Sequence, residues 1–89
     1  LMSNVWGLDV DQVRRLSSEL NSEAGALAGI ISKLTALLSN TQWSGPDAER
    51  FRSDWEQVHA RALRQAETAL RETSEAARRN ADQQENASS

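Results

Sequence analysis

Asn40-Thr41-Gln42-Trp43-Ser44-Gly45-Pro46 is the stretch whose reading decides the fold. Proline is welcome at the first position of a helix, where its missing N–H would be unsatisfied anyway. Ser44 or Gly45 then serves as N-cap, and Asp47 and Glu49 put negative charge in the first turn. Upstream, apolar residues recur in steps of three and four: Val13, Leu16, Leu20, Ala24, Leu27, Ile31, Leu34, Leu38. Downstream, a second series runs Ala48, Phe51, Trp55, Val58, Ala62, Ala66, Ala69/Leu70, Thr73, Ala76/Ala77. The segment therefore separates two amphipathic helices.

Asp9 followed by Gln12 resembles a capping box and starts the first helix. The expected organisation is an N-terminal extension at residues 1–8, a helical hairpin at 9–80 and a disordered polar tail at 81–89. Within the hairpin the first helix covers about 9–39, the turn 40–45 and the second helix about 46–80. Leu1 ahead of Met2 reads as an addition before a native start. At 1.5 Å per residue the helices run about 45 and 52 Å. A turn of about six residues folds them back as an antiparallel pair. The fold class is all-α, and no strand pattern competes.

Composition removes several functions. A chain of 89 residues buries only about 60% of its unfolded surface. No cysteine is present to staple it, and the single histidine, His59, cannot hold a metal alone. Neither a metal site nor a cofactor site is expected. Asp54, Glu56 and His59 do not align on one helical face, and no phosphate-cradling loop occurs, so no catalytic site is expected. A net charge of −3 is the wrong sign for a nucleic-acid binder. The arginines of the second helix have acids before them, Glu67 before Arg71 and Glu75 before Arg79, as in a self-neutralising solvated face. The most apolar window, residues 24–38, is too short to span a membrane and carries Lys33, so no stable membrane insertion is expected. Nor does a signal peptide open the chain.

The two helices differ in apolar content. Leu16, Leu20, Leu27, Ile31, Leu34 and Leu38 fall within about 60° on a helical wheel, with Ile30 and Leu37 roughly 60–80° to one side of Leu27. That surface is wider than one facing helix can cover, and the second helix answers mostly with alanine. Pairing two hairpins into a four-helix bundle solves the shortage. The expected dimer interface is Leu27, Ile30, Leu34, Leu37, Leu38, Phe51 and Trp55. The open end of the hairpin, poor in large side chains, should fray first. Gly25 and Gly29 lie on the back of the first helix and cannot let the second helix approach.

Trp43-Ser44-Gly45 lies midway along the chain and runs into Pro46, Ala48, Phe51 and Trp55 with spacing kept. In these respects the sequence resembles the WXG-motif (ESAT-6-like) family of small helical hairpins exported by type VII (ESX) secretion systems. The resemblance covers residues 10–80, and the arginine and alanine usage suits an actinobacterial source. It implies a non-catalytic secreted protein, folded in the cytoplasm as a dimer and exported without a signal peptide by a membrane ATPase. It also implies that Trp43, Ser44 and Gly45 form the turn, near the partner's export signal. One feature departs from the family: its Tyr-x-x-x-Asp/Glu signal is missing, since the sequence holds no tyrosine. The implied partner is therefore a paralogous hairpin carrying that signal, a heterodimer rather than a homodimer. The alternative is a cytoplasmic helical adaptor or self-associating homodimeric bundle, unrelated to export, whose turn is merely structural.

Overall fold

Asp9 opens the first helix: its carboxylate accepts the Gln12 amide at 3.1 Å, and its carbonyl accepts the Val13 amide. Helix α1 then runs over Val10–Asn40. Thr41, in extended backbone, ends it and donates its hydroxyl to the Leu37 carbonyl. Gly45 caps the next helix at φ +111°, a region that strains any side chain. With Pro46 at the first position, helix α2 covers Pro46–Asp54. A single wide π turn, Trp55–His59, follows, in which the Ala60 amide reaches five residues back to the Trp55 carbonyl. Helix α3 completes the second arm over Ala60–Ser88. The computed structural model describes residues 7–88, with side chains to 87. Most of the expected N-terminal extension, including Leu1 and Met2, lies outside the described residues.

The arms pack antiparallel, with Thr35 beside Trp55, Ser17 beside Ser74 and Arg14 beside Asp82. The seam on α1 is Ser17, Ala24 and Ile31, with Leu38 half-buried at the next heptad step. On α3 it is Ala60, Glu67, Ser74 and Ala81. Small side chains let the arms run close, and the molecule measures 67 × 17 × 14 Å.

Three expectations need correction. The regular period had placed Phe51, Val58, Ala62, Ala66 and Thr73 in the second seam, and all five are exposed. Phe51 precedes the π turn and is exposed because Ala48, Arg52 and Trp55 take the inward positions there; for the later residues the π turn is the reason. It adds one residue between Trp55 and Ala60, so every later seam position falls one residue late. On α1, Leu16 and Leu34 had been assigned to the seam. They are 53% and 40% exposed, because the seam is rotated onto their small neighbours. The disordered tail at 81–89 is instead helix as far as Ser88, and Ser89 lies outside the described residues. No glycine or proline stops the helix after Asn80, whose side chain merely bonds the Ala76 carbonyl. Ala81 is fully buried and Gln84 nearly so.

Candidate interaction surface

A chain of this length folded compactly has a radius of gyration of about 12 Å, against 19.6 Å here. Its accessible surface is 6553 Å², where a compact monomer of 9.8 kDa exposes about 5,200 Å². Among the described residues no large side chain is fully buried; the apolar core is Ala24, Ile31, Ala48, Ala60 and Ala81. Apart from Ile31, the large apolar residues are at best half-buried. Leu16, Ile30, Leu34, Leu37, Phe51 and Val58 are between 40% and 58% exposed.

Helical winding places all but Val58 on one side; Val58, inside the π turn, lies instead beside Arg61, Arg64 and Thr68. On both helices, residues one before or three after a seam position lie on one flank, and those one or four after lie on the other. Leu16, Ile30 and Leu37 each precede a seam residue of α1, and Leu20, Leu27 and Leu34 each come three after one. On α3 the same flank carries Leu63, Ala66, Leu70, Thr73 and Ala77. The other flank is polar. Its groove is lined by Ser32, Ser39 and Arg64 towards the turn, and by Ser18, Asn21, Arg71, Glu75 and Arg78 towards the open end. One side of the hairpin is thus apolar and two helices wide, and the opposite side is a charged groove.

Of the residues expected at a dimer interface, Ile30, Leu34, Leu37 and Phe51 stand exposed on this face. Leu27, Leu38 and Trp55 are half-covered by the hairpin itself. The Trp55 indole N–H donates to the Thr35 hydroxyl at 2.9 Å, which ties the arms near the turn. Trp43, Ser44 and Gly45 form the turn between α1 and α2. The Trp43 ring is half-exposed and leans on Phe51, with centroids 5.4 Å apart at 57°.

Sequence reasoning missed what holds this tip together. Arg52 donates to three carbonyl oxygens: Trp43 at 2.8 Å, Thr41 at 2.9 Å and Leu38 at 3.3 Å. It caps the C-terminus of α1 from the opposite arm, where the last turn carries no basic residue. Nothing in sequence separates Arg52 from its neighbour Arg50.

The open end is polar. The Ser17 hydroxyl donates to the Ser74 carbonyl at 2.7 Å, and the Ser74 hydroxyl donates to the Ser17 carbonyl at 2.6 Å. Their seven-residue spacing from Ala24 and Ala81 was the signal available for finding them. Arg14 reaches Asp82 at 2.7 Å and Glu85 at 2.5 Å, and these bonds raise its pKa. Arg78 bonds Glu75 and Asp82. The bond with Glu75 raises the arginine's pKa and lowers the glutamate's. Arg71 pairs with Glu67 at 3.0 Å, and Arg79 with Glu75 at 3.7 Å, the expected self-neutralising pattern. On the apolar side a hydrogen bond to Glu23, and then its charge, raise the pKa of Glu19.

His59 is exposed in the π turn, and the described residues contain no group of acids, histidines or cysteines that could hold a metal ion. Nor is any helix among them long and apolar enough to cross a membrane. Comparisons with family models, with characterised proteins and with solved structures found no match.

Proposed function

We propose that this chain is a non-catalytic interaction subunit, one hairpin of a two-hairpin, four-helix bundle. It is exported as a folded dimer by a type VII secretion system, and its partner is a paralogous hairpin that carries the export signal. The supporting observation is the uncovered apolar face, Leu16, Ile30, Leu34, Leu37 and Phe51, on a chain with almost no core of its own. The accessible surface exceeds that of a compact monomer by roughly 1,400 Å². A standard interface covers about 800 Å² per partner, so one docked hairpin accounts for much of the excess. The export half of the proposal rests on the Trp43-Ser44-Gly45 turn and its spacing to Phe51 and Trp55.

Two measurements test these halves separately. Co-expressed with a paralogous hairpin that carries the export signal, the chain should form a 1:1 complex by light scattering. Leu34→Asp should return it to a monomer, because the new carboxylate would sit unpaired in the seam. An unchanged mass would remove the bundle. Trp43→Ala, in a cell carrying the secretion machinery, should reduce export more than it lowers the melting temperature. Normal export of that variant would leave the turn a structural element of a helical adaptor.

A further inference from the structure

One charge interrupts the apolar face. Leu16, Glu23, Ile30 and Leu37 recur every seven residues, each directly before a seam residue. Glu23 therefore stands in the middle of the row, between the levels of Leu20 and Leu27. Acids on the polar side have arginines: Glu56 with Arg64, Glu67 with Arg71, Glu75 with Arg78, and Asp82 and Glu85 with Arg14. Glu23 has Glu19, another acid, and among the described residues no cation pairs with either. A single polar group in an apolar helical seam is a known device for choosing partners.

A second copy of this chain is poorly suited to meet it. The midpoint of α1 is residue 25, halfway between Val10 and Asn40. If a two-fold axis crossed α1 on its own copy there, the two Glu23 residues would lie four positions apart. That is about 6 Å along the helix, with both carboxylates inside the apolar seam. Lys33 would reach the flank of the copy near Glu19, but an exposed pair of that kind contributes little against two desolvated acids. If instead both turns lay at one end, Glu23 would face the partner's α3 near Ala66, Leu70 and Thr73. The arginines of α3 point to the opposite flank.

We propose that Glu23 selects the partner: the apolar face takes a different helical hairpin that sets an arginine or lysine against Glu23, and disfavours a second copy of this chain. The inference rests on the bundle reading above and adds the chemistry of the partner. It can be tested with the chain itself as probe, by sedimentation equilibrium on the wild type, E23L, E23K and an equimolar mixture of wild type with E23K. Circular dichroism should show all of them equally helical, since Glu23 is exposed. E23L should self-associate at least tenfold more tightly than the wild type. The mixture should associate at least tenfold more tightly than either component, because it alone brings opposite charges together in the seam. Equal, tight self-association of wild type and E23L overturns the role of Glu23 and leaves the bundle standing. A mixture no tighter than its components also overturns it. If every sample stays monomeric, the role of Glu23 falls, and the bundle reading is then decided by the complex with the paralogous hairpin.

Discussion

Deleting Gln57 from the π turn should leave the hairpin as stable as before, although a deletion inside a long helix normally rotates everything beyond it by about 100°. Trp55 and Ala60 both face α1, five residues apart, and the wide turn absorbs the extra residue. Without Gln57 they stand four apart, and a regular α-helix keeps both on the same face. The regular ladder regains a backbone bond worth about 0.5–1.5 kcal/mol. The exposed Glu56–Arg64 pair is disturbed at a cost of about 0–1 kcal/mol. The two nearly cancel. Deleting Thr68 is the control. If the π turn then closes, residues 60–67 rotate and take Ala60 and Leu63 off α1. The buried Ala60 methyl accounts for about 0.8 kcal/mol, and the half-covered Leu63 for about 1 kcal/mol. The loss of about 2 kcal/mol, less the regained backbone bond, leaves about 1 kcal/mol. That corresponds to a fall of roughly 4–8 °C in melting temperature. Thermal melts followed by far-ultraviolet circular dichroism read both variants. A Gln57 deletion that melts as low as the Thr68 deletion would refute the assignment of the π turn as the element that keeps the arms in phase.

Arg52→Met keeps the aliphatic stem but loses the donors to Leu38, Thr41 and Trp43. Since those carbonyls can rehydrate, it should cost about 2 kcal/mol in denaturant titration. Arg52→Lys, lacking the fork, should recover less than half, and full recovery would show that only charge matters at the tip. Replacing both Ser17 and Ser74 by alanine should change stability by less than about 1 kcal/mol, because it removes both hydroxyl donors, leaves each carbonyl its own helical N–H partner and extends the alanine seam. Ser17→Leu should instead cost about 1–3 kcal/mol by forcing the arms apart, again by denaturant titration. Arg78 lowers the pKa of Glu75, so that pair stabilises the fold at neutral pH and is lost as pH falls through and below the ordinary glutamate range. Glu75→Gln should flatten the acid limb of melting temperature against pH, and an unchanged limb would assign acid sensitivity elsewhere. The raised pKa of Glu19 has the opposite sign: its contribution improves as pH falls, and Glu23→Gln should abolish that part.

What was legible in the sequence followed local chemistry. Asp9 against Gln12, and Gly45 before Pro46, fix helix ends through bonds to near neighbours, and the helices begin where those residues say. The uncovered width of the first helix was also readable, because Ile30, Leu34 and Leu37 outnumber what an alanine-rich arm can cover. The π turn left no such mark. Trp55, Glu56, Gln57, Val58 and His59 include neither glycine nor proline, so no local residue marks the widened turn. The seam of α1 escaped for a related reason. Ser17 lies beside Leu16 in sequence, and hydrophobicity alone favours the leucine. Close approach of two arms favours the smaller residue. The helical end of the second arm was missed because its polarity was read as disorder, whereas Arg14 draws on it through Asp82 and Glu85.

That adjacency separates two kinds of evolutionary change. Position by position along α1, the residue that folds the hairpin follows directly after the one that faces outward: Ser17 after Leu16, Ala24 after Glu23, Ile31 after Ile30, Leu38 after Leu37. Substitutions in the outward set alter what the face can join and leave the internal seam untouched. Substitutions in the inward set do the reverse. A gene duplicate of this chain could therefore change its allegiance one exposed residue at a time, with each intermediate still folding as the same hairpin.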